Sequence, residues 1–152
     1  MTLEEIKHTL YQKCLAWIEN KIEISTKAMN DAQDSANSEE KSSAGDKYET
    51  GRAMSQNERD MYARQLAECL KQKQLLLSIN PDQSSSIIVA GSLVRTEAAN
   101  YFISISAGSF SIDNVTYFAV SIDTPVAKLL LGKKAGDSFV LNGKSILIQE
   151  NH

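Results

Sequence analysis

Residues 35–50 read SANSEEKSSAGDKYET, and where this stretch goes decides how the chain folds. It is polar throughout and carries Glu39, Glu40, Asp46 and Glu49. One helix-periodic pattern leads into it and another leads out. If the two pair, this stretch is the tip of an antiparallel hairpin and presents a cluster of carboxylates.

Upstream, Leu3, Ile6, Leu10, Cys14, Trp17, Ile24 and Ala28 recur at helical spacing, so 3–35 is predicted as one long helix. Thr2 is a natural cap, with Glu4 and Glu5 facing the positive end of the helix dipole. Downstream, Met54, Met61, Tyr62, Leu66, Cys69, Leu70, Leu76 and Leu77 carry a second helix over 47–79. Gly51 weakens it by up to ~1 kcal/mol relative to alanine. Asn80-Pro81-Asp82 ends it, because proline lacks the N–H and restricts the residue before it.

Each helix would be roughly 50 Å long, which suits a coiled coil better than a small globular core. In an antiparallel pair the numbers of facing residues have a constant sum. A sum of 83 sets Ile6 against Leu77, Cys14 against Cys69, Trp17 against Leu66 and Ile22 against Met61, with the turn between Lys41 and Ser42. Towards the tip the stripe thins to small residues, Ala28, Ala32 and Ser55.

The chain has 152 residues, 42% hydrophobic and 23% charged, with net charge −3. That composition is ordinary for a soluble folded protein, and an acidic balance argues against coating nucleic acid by bulk charge. No segment approaches the ~20 apolar residues of a membrane span, and the N-terminus lacks the layout of a signal peptide. A cytoplasmic location without membrane contact is the expectation. Cys14 and Cys69 are the only cysteines, and no CxxC pair is present, so zinc and thioredoxin-type chemistry are not indicated. Both cysteines and Trp17 read as core.

After a polar linker at 81–86 the pattern changes to period two with β-branched residues. Strands are predicted at 87–90, 93–96, 101–106, 115–122, 138–141 and 144–149. Asn142-Gly143 is a strong signal for a type I′ hairpin, and Asp113-Asn114 reads as a turn. Thr124 can cap a short helix that has Pro125 at its first position and stops at Gly132. The fold class is therefore α+β. A helical hairpin at 1–80, with its tip near 36–47, precedes a small antiparallel sheet domain with one short helix at 87–152.

The wording of 121–137, SIDTPVAKLLLGKKAGD, resembles the C-terminal domain of the bacterial Gre-type transcript-cleavage factors. The shared elements are Thr124-Pro125, the leucines 129–131, Gly132-Lys133-Lys134 and Gly136-Asp137, together with Gly91-Ser92-Leu93-Val94. The order of a helical hairpin followed by an FKBP-like domain is similar too. The resemblance implies a transcription elongation factor that binds RNA polymerase, inserts its coiled coil into the secondary channel and modulates elongation or stimulates cleavage of backtracked RNA. It implies an accessory factor rather than an enzyme, acting as a monomer and meeting nascent RNA only indirectly. No cofactor of its own is implied, only Mg²⁺ shared with the polymerase active site.

Under that resemblance Asp46, Glu49, Glu39 and Glu40 are the metal-directing candidates, since a hard cation takes carboxylate oxygens. Tyr48 and Arg52 would brace the tip or touch the polymerase. Thr124, Pro125, Lys133 and Lys134 would dock. The family places an Asp and a Glu three residues apart ahead of a tyrosine. With Tyr48 in that place, the positions three and six before it are Gly45 and Ser42. Asp46 and Glu49 instead share an i, i+3 spacing. A channel-binding regulator that does not cleave is therefore the alternative within the same resemblance. A prolyl isomerase and a coiled-coil interaction scaffold are the alternatives outside it.

Overall fold

The computed structural model describes residues 1–40 and 45–152, with side chains described outside 39–49. The elements are α1 (Leu3–Glu40), α2 (Gly45–Leu77), β1 (Leu93–Thr96), β2 (Asn100–Ser104), β3 (Gly108–Ile112), β4 (Val115–Ser121), α3 (Pro125–Leu130), β5 (Ser138–Leu141) and β6 (Lys144–Asn151). This is an α+β chain, with two long helices ahead of a six-stranded sheet and one short helix. By contact the residues form two compact units, Met1–Trp17 with Gln74–His152, and Ile18–Lys73.

The start of α1 is a reciprocal capping box. Thr2 Oγ1 accepts from the Glu5 amide at 3.2 Å, while Glu5 Oε2 accepts from the Thr2 amide at 2.9 Å. No described helix is long and apolar enough to cross a membrane.

Within Ile18–Lys73 the buried α1 positions are Ile18, Ser25, Ala32 and Ala36. Ile18, Ser25 and Ala32 lie one heptad apart, and the small ones let the partner helix approach closely. Ala28, Asp31, Ala32 and Ser35 line one cleft with Glu58 and Tyr62 of α2, and Lys73 Nζ lies 3.5 Å from Glu19. The two helices are thus antiparallel, but the register of 83 does not hold. It would set Ala28 against Ser55 and Glu19 against Arg64, so α2 is displaced by roughly two helical turns.

Ile24, at 60% exposure, together with Met54, Met61 and Leu70, lies outside the packed stripe. An α-helical period of 3.6 drifts against a heptad over so long a segment, so residues at plausible spacing rotate out of the seam. Cys14 and Cys69 are both buried and both free thiols, while Trp17 is only half-buried.

In the other unit the strand order is β3-β4-β2-β1-β6-β5. Every neighbouring pair is antiparallel except β2 and β4, which run parallel from Asn100 opposite Tyr117 to Ser104 opposite Ser121. The expected all-antiparallel sheet is therefore mixed. The expected strand at 87–90 is a single bridge between Ile87 and Lys134. Sequence reading missed β3, whose Gly108 and alternating serines carry little β signal; its partner β4 supplies the ladder. The β3–β4 turn at Asp113 and Asn114 has φ of 52° and 64°, and Asn142-Gly143 has 52° and 78°, the left-handed pairs that a type I′ hairpin requires.

The sheet alternates inward and outward as period two demands. Val94, Tyr101, Ile103, Phe139, Ile146 and Ile148 pack against Ala127 and Leu130 of α3. Phe102 and Ser104 point to the opposite face, where Ser104 Oγ lies 3.9 Å from Cys14 Sγ. The first turns of α1 therefore cover the face of the sheet that α3 leaves open.

Candidate functional site

The segment that carries the sequence motif folds as a capped helix followed by two tight turns. Thr124 Oγ1 accepts from the Ala127 amide at 3.3 Å and donates to the Ser121 carbonyl at 2.8 Å, and Pro125 opens α3, where no N–H is needed. Gly132 stops the helix at φ 84°. The chain then returns beside Ile88: the Lys133 carbonyl accepts from the Ile88 amide at 2.8 Å, and the Ile88 carbonyl from the Gly132 amide at 2.9 Å. Asp137 Oδ2 accepts from the Lys134 amide at 3.0 Å, which closes the turn through Gly136.

Each of Thr124, Pro125, Gly132, Gly136 and Asp137 thus has a local structural task. Lys133 is half-buried and Lys134 exposed, and neither is in an ion pair with a described residue. Their ammonium groups follow the negative end of α3 and are available to an acidic partner.

The side chains of Glu39, Glu40, Asp46, Tyr48 and Glu49, and the expected turn at Lys41 and Ser42, lie outside the described residues. The backbone of α2 begins at Gly45, so Asp46 and Glu49 fall in its first turns. Carboxylates are the donor type that a hard divalent cation takes, so the residue chemistry of the tip fits Mg²⁺. Among the described residues no group of three or more His, Cys, Asp or Glu is arranged to hold a metal ion. Arg52 is half-buried in α2 and engaged in an interaction.

Two polar constellations escaped the reading of the sequence. Across the sheet, Arg95 donates to Tyr117 Oη at 2.6 Å and lies 3.5 Å from Glu150 Oε2. Arg95 is half-buried there, while the Tyr117 ring is almost wholly buried. The second is a cleft of about 300 Å³ whose lining includes Lys7, Ile79, Ser84, Ser85, Gly91 and Ser92. No aromatic side chain lines it.

Lys7 is 2% exposed, and its ammonium donates to the Gln83 carbonyl at 2.6 Å and to the main-chain oxygen of His152 at 3.1 Å. Burial pushes its pKa below the usual lysine range. A signal for Lys7 was present: it sits seven residues before Cys14, on the apolar face of α1, where a charge is out of place.

No family model matches the chain, and no curated protein or solved structure matches it.

Proposed function

We propose that the chain is a Gre-like factor that binds RNA polymerase and directs the tip of its helical hairpin into the secondary channel. The observation that carries the reading is the segment 121–137. Around its Thr124-Pro125 cap, Gly132 stop and Gly136-Asp137 turn, the side chains of Lys133 and Lys134 are in no ion pair with a described residue, in a chain whose two long helices precede an α+β sheet unit.

In this reading the sheet unit docks on the polymerase through the face bearing Lys133 and Lys134, and the antiparallel helices deliver residues 39–49. A Mg²⁺ held by the polymerase would, when bound, supply the chemistry of water activation for cleavage of the RNA. Asp46, Glu49, Glu39 and Glu40 would be the residues that offer carboxylate oxygens to that ion. The chain is then an accessory factor, and the polymerase makes and breaks the bonds.

Capture of RNA polymerase from the source organism on the immobilised full chain tests the docking half. Recovery of the polymerase subunits is expected, and no association removes the reading. Transcript shortening in stalled complexes tests the chemical half. Gly45 and Ser42 at the family's acidic positions favour a second outcome, in which the chain binds but shortens no RNA and acts as a competitor in the channel.

A further inference from the structure

β3 is an edge of the sheet, and one side of its backbone has no partner among the described residues. The hairpin to β4 turns through Asp113 and Asn114, so Ile112 and Val115 flank a two-residue loop. A flanking pair of this kind exchanges both main-chain hydrogen bonds, and the pairs along an antiparallel ladder then alternate. Phe110 therefore bonds to Tyr117 and Gly108 to Ala119. The N–H and C=O groups of Ser109 and Ser111 point the other way, out from the sheet.

Nothing on the strand guards this edge. Exposed edges are ordinarily blunted by charge, proline or a bulge. Gly108–Ile112 reads GSFSI, without charge or proline, and its register with β4 is unbroken. Gly108, Ser109 and Ser111 are exposed, and Phe110 is half-buried. The opposite edge, β5, is built differently: its Phe139 is 4% exposed and packs into the core.

We propose that β3 pairs antiparallel with β3 of a second copy of this chain, about a two-fold axis through Phe110. The outward groups fix that register. Ser109 of each copy faces Ser111 of the other, and each such pair exchanges both its hydrogen bonds. Phe110 meets Phe110 of the copy in the non-hydrogen-bonded position between them, where facing side chains come closest and aromatic pairs are favourable. Gly108 faces Ile112 and Ala107 faces Asp113, so no like charges are opposed. A foreign strand would find the same main-chain groups, but the aromatic pair is supplied by the chain itself. On β5 the equivalent axis would draw Phe139 out of the core.

One short strand covers less than the roughly 1,200 Å² of a lasting interface, so the dimer exchanges with monomer, with a dissociation constant on the order of 0.1 mM. The monomer expected from the sequence is then the dilute form. The inference does not rest on the polymerase reading.

The test is sedimentation equilibrium of the full chain from about 0.01 to 1 mM, with amide hydrogen exchange followed by NMR over the same range. A monomer–dimer equilibrium is expected. Exchange at the Ser109 and Ser111 amides should slow about fivefold or more as the dimer fills, while the Ser138 and Val140 amides of β5 keep their rates. Ser111→Lys puts a charge on the exposed edge and should weaken dimerisation about tenfold or more without moving the melting temperature. Ser109→Lys takes its place if that variant does not fold. Val140→Lys makes the same change on β5 and should leave dimerisation unaltered. A chain that stays monomeric at about 1 mM leaves the edge to a foreign strand or to water and overturns the inference. So does a dimer in which Ser109 and Ser111 exchange as fast as in the monomer, or one that the lysine variant forms as tightly as the parent.

Discussion

Gly91 and Ile79 are so close that a Cβ added at Gly91 would sit 2.9 Å from Ile79 Cγ2. The same glycine has φ 96°, and its amide donates to the Ile103 carbonyl at 2.6 Å. Gly91→Ala therefore meets two penalties, about 1–2 kcal/mol for the left-handed backbone and about 1–3 kcal/mol for overlap. Gly136 has φ 94° but nothing within 4 Å of its added Cβ, so Gly136→Ala meets only the first. Urea unfolding should show Gly91→Ala as the more destabilising, and Ile79→Ala should recover part of the difference when combined with it. Equal losses for the two glycine variants would mean that the contact with Ile79 carries no weight.

Thr124 is the cap of a six-residue helix that has little stability of its own. Thr124→Ala removes the acceptor for the Ala127 amide and should cost about 1 kcal/mol. Thr124→Ser keeps the hydroxyl and should stay within a few tenths of a kcal/mol of the parent. Thermal melts of the three proteins separate a cap from a mere surface hydroxyl. If Thr124→Ala binds polymerase as the parent does, Thr124 serves the fold and not the docking.

Cys14 is fully buried, and burial pushes its thiol from the ordinary 9.0 up to about 11, against a small opposing effect of the Ser104 hydroxyl. The native state therefore holds the thiol proton where the unfolded chain has lost it. Stability from this group is complete below pH 9 and is lost as pH rises to about 11, roughly 3 kcal/mol in all. Burial raises the Tyr101 phenol as well and acts in the same direction. Lys7 acts oppositely: its pKa is lowered, so rising pH restores stability until the unfolded lysine titrates at 10.5. Unfolding free energies between pH 8 and 11 should fall more steeply for the parent than for Cys14→Ala. Alkylation of Cys14 at pH 8 should be negligible in the native protein and rapid in denaturant.

Docking and tip chemistry should separate by mutation. Lys134→Glu reverses an exposed charge and leaves the main-chain bond to Asp137 in place, so it should reduce capture of polymerase while the melting temperature holds. Asp46→Ala with Glu49→Ala should leave capture intact and abolish RNA shortening in stalled complexes. If the parent shortens RNA and the double variant shortens it equally well, the carboxylates at 46 and 49 have no part in the chemistry.

Local signals made much of the fold legible. Thr2 caps α1 as its place before Glu4 and Glu5 suggests, Thr124 and Pro125 open a helix, and Asn142-Gly143 makes a left-handed hairpin turn. Each of these rests on atoms within a few residues of one another, so a short window of sequence contains the whole cause. The candidate site was legible as residue types only. Lys133, Lys134 and the acids of 39–49 could be named, but the cleft around Lys7 joins α1 to segments more than seventy residues away.

By itself, the sequence determined the class of the protein: two long helices, then β-branched alternation broken by glycine, asparagine and proline turns. Only the tertiary structure decided the register of the helices, the parallel pairing of β2 with β4, the strand at Gly108–Ile112 and the burial of Lys7. A helical apolar stripe fits its partner nearly as well after a shift of one or two turns. What selects among these fits is packing between distant residues: Ala32 beside Glu58 and Tyr62, Ser104 against Cys14, Gly91 under Ile79.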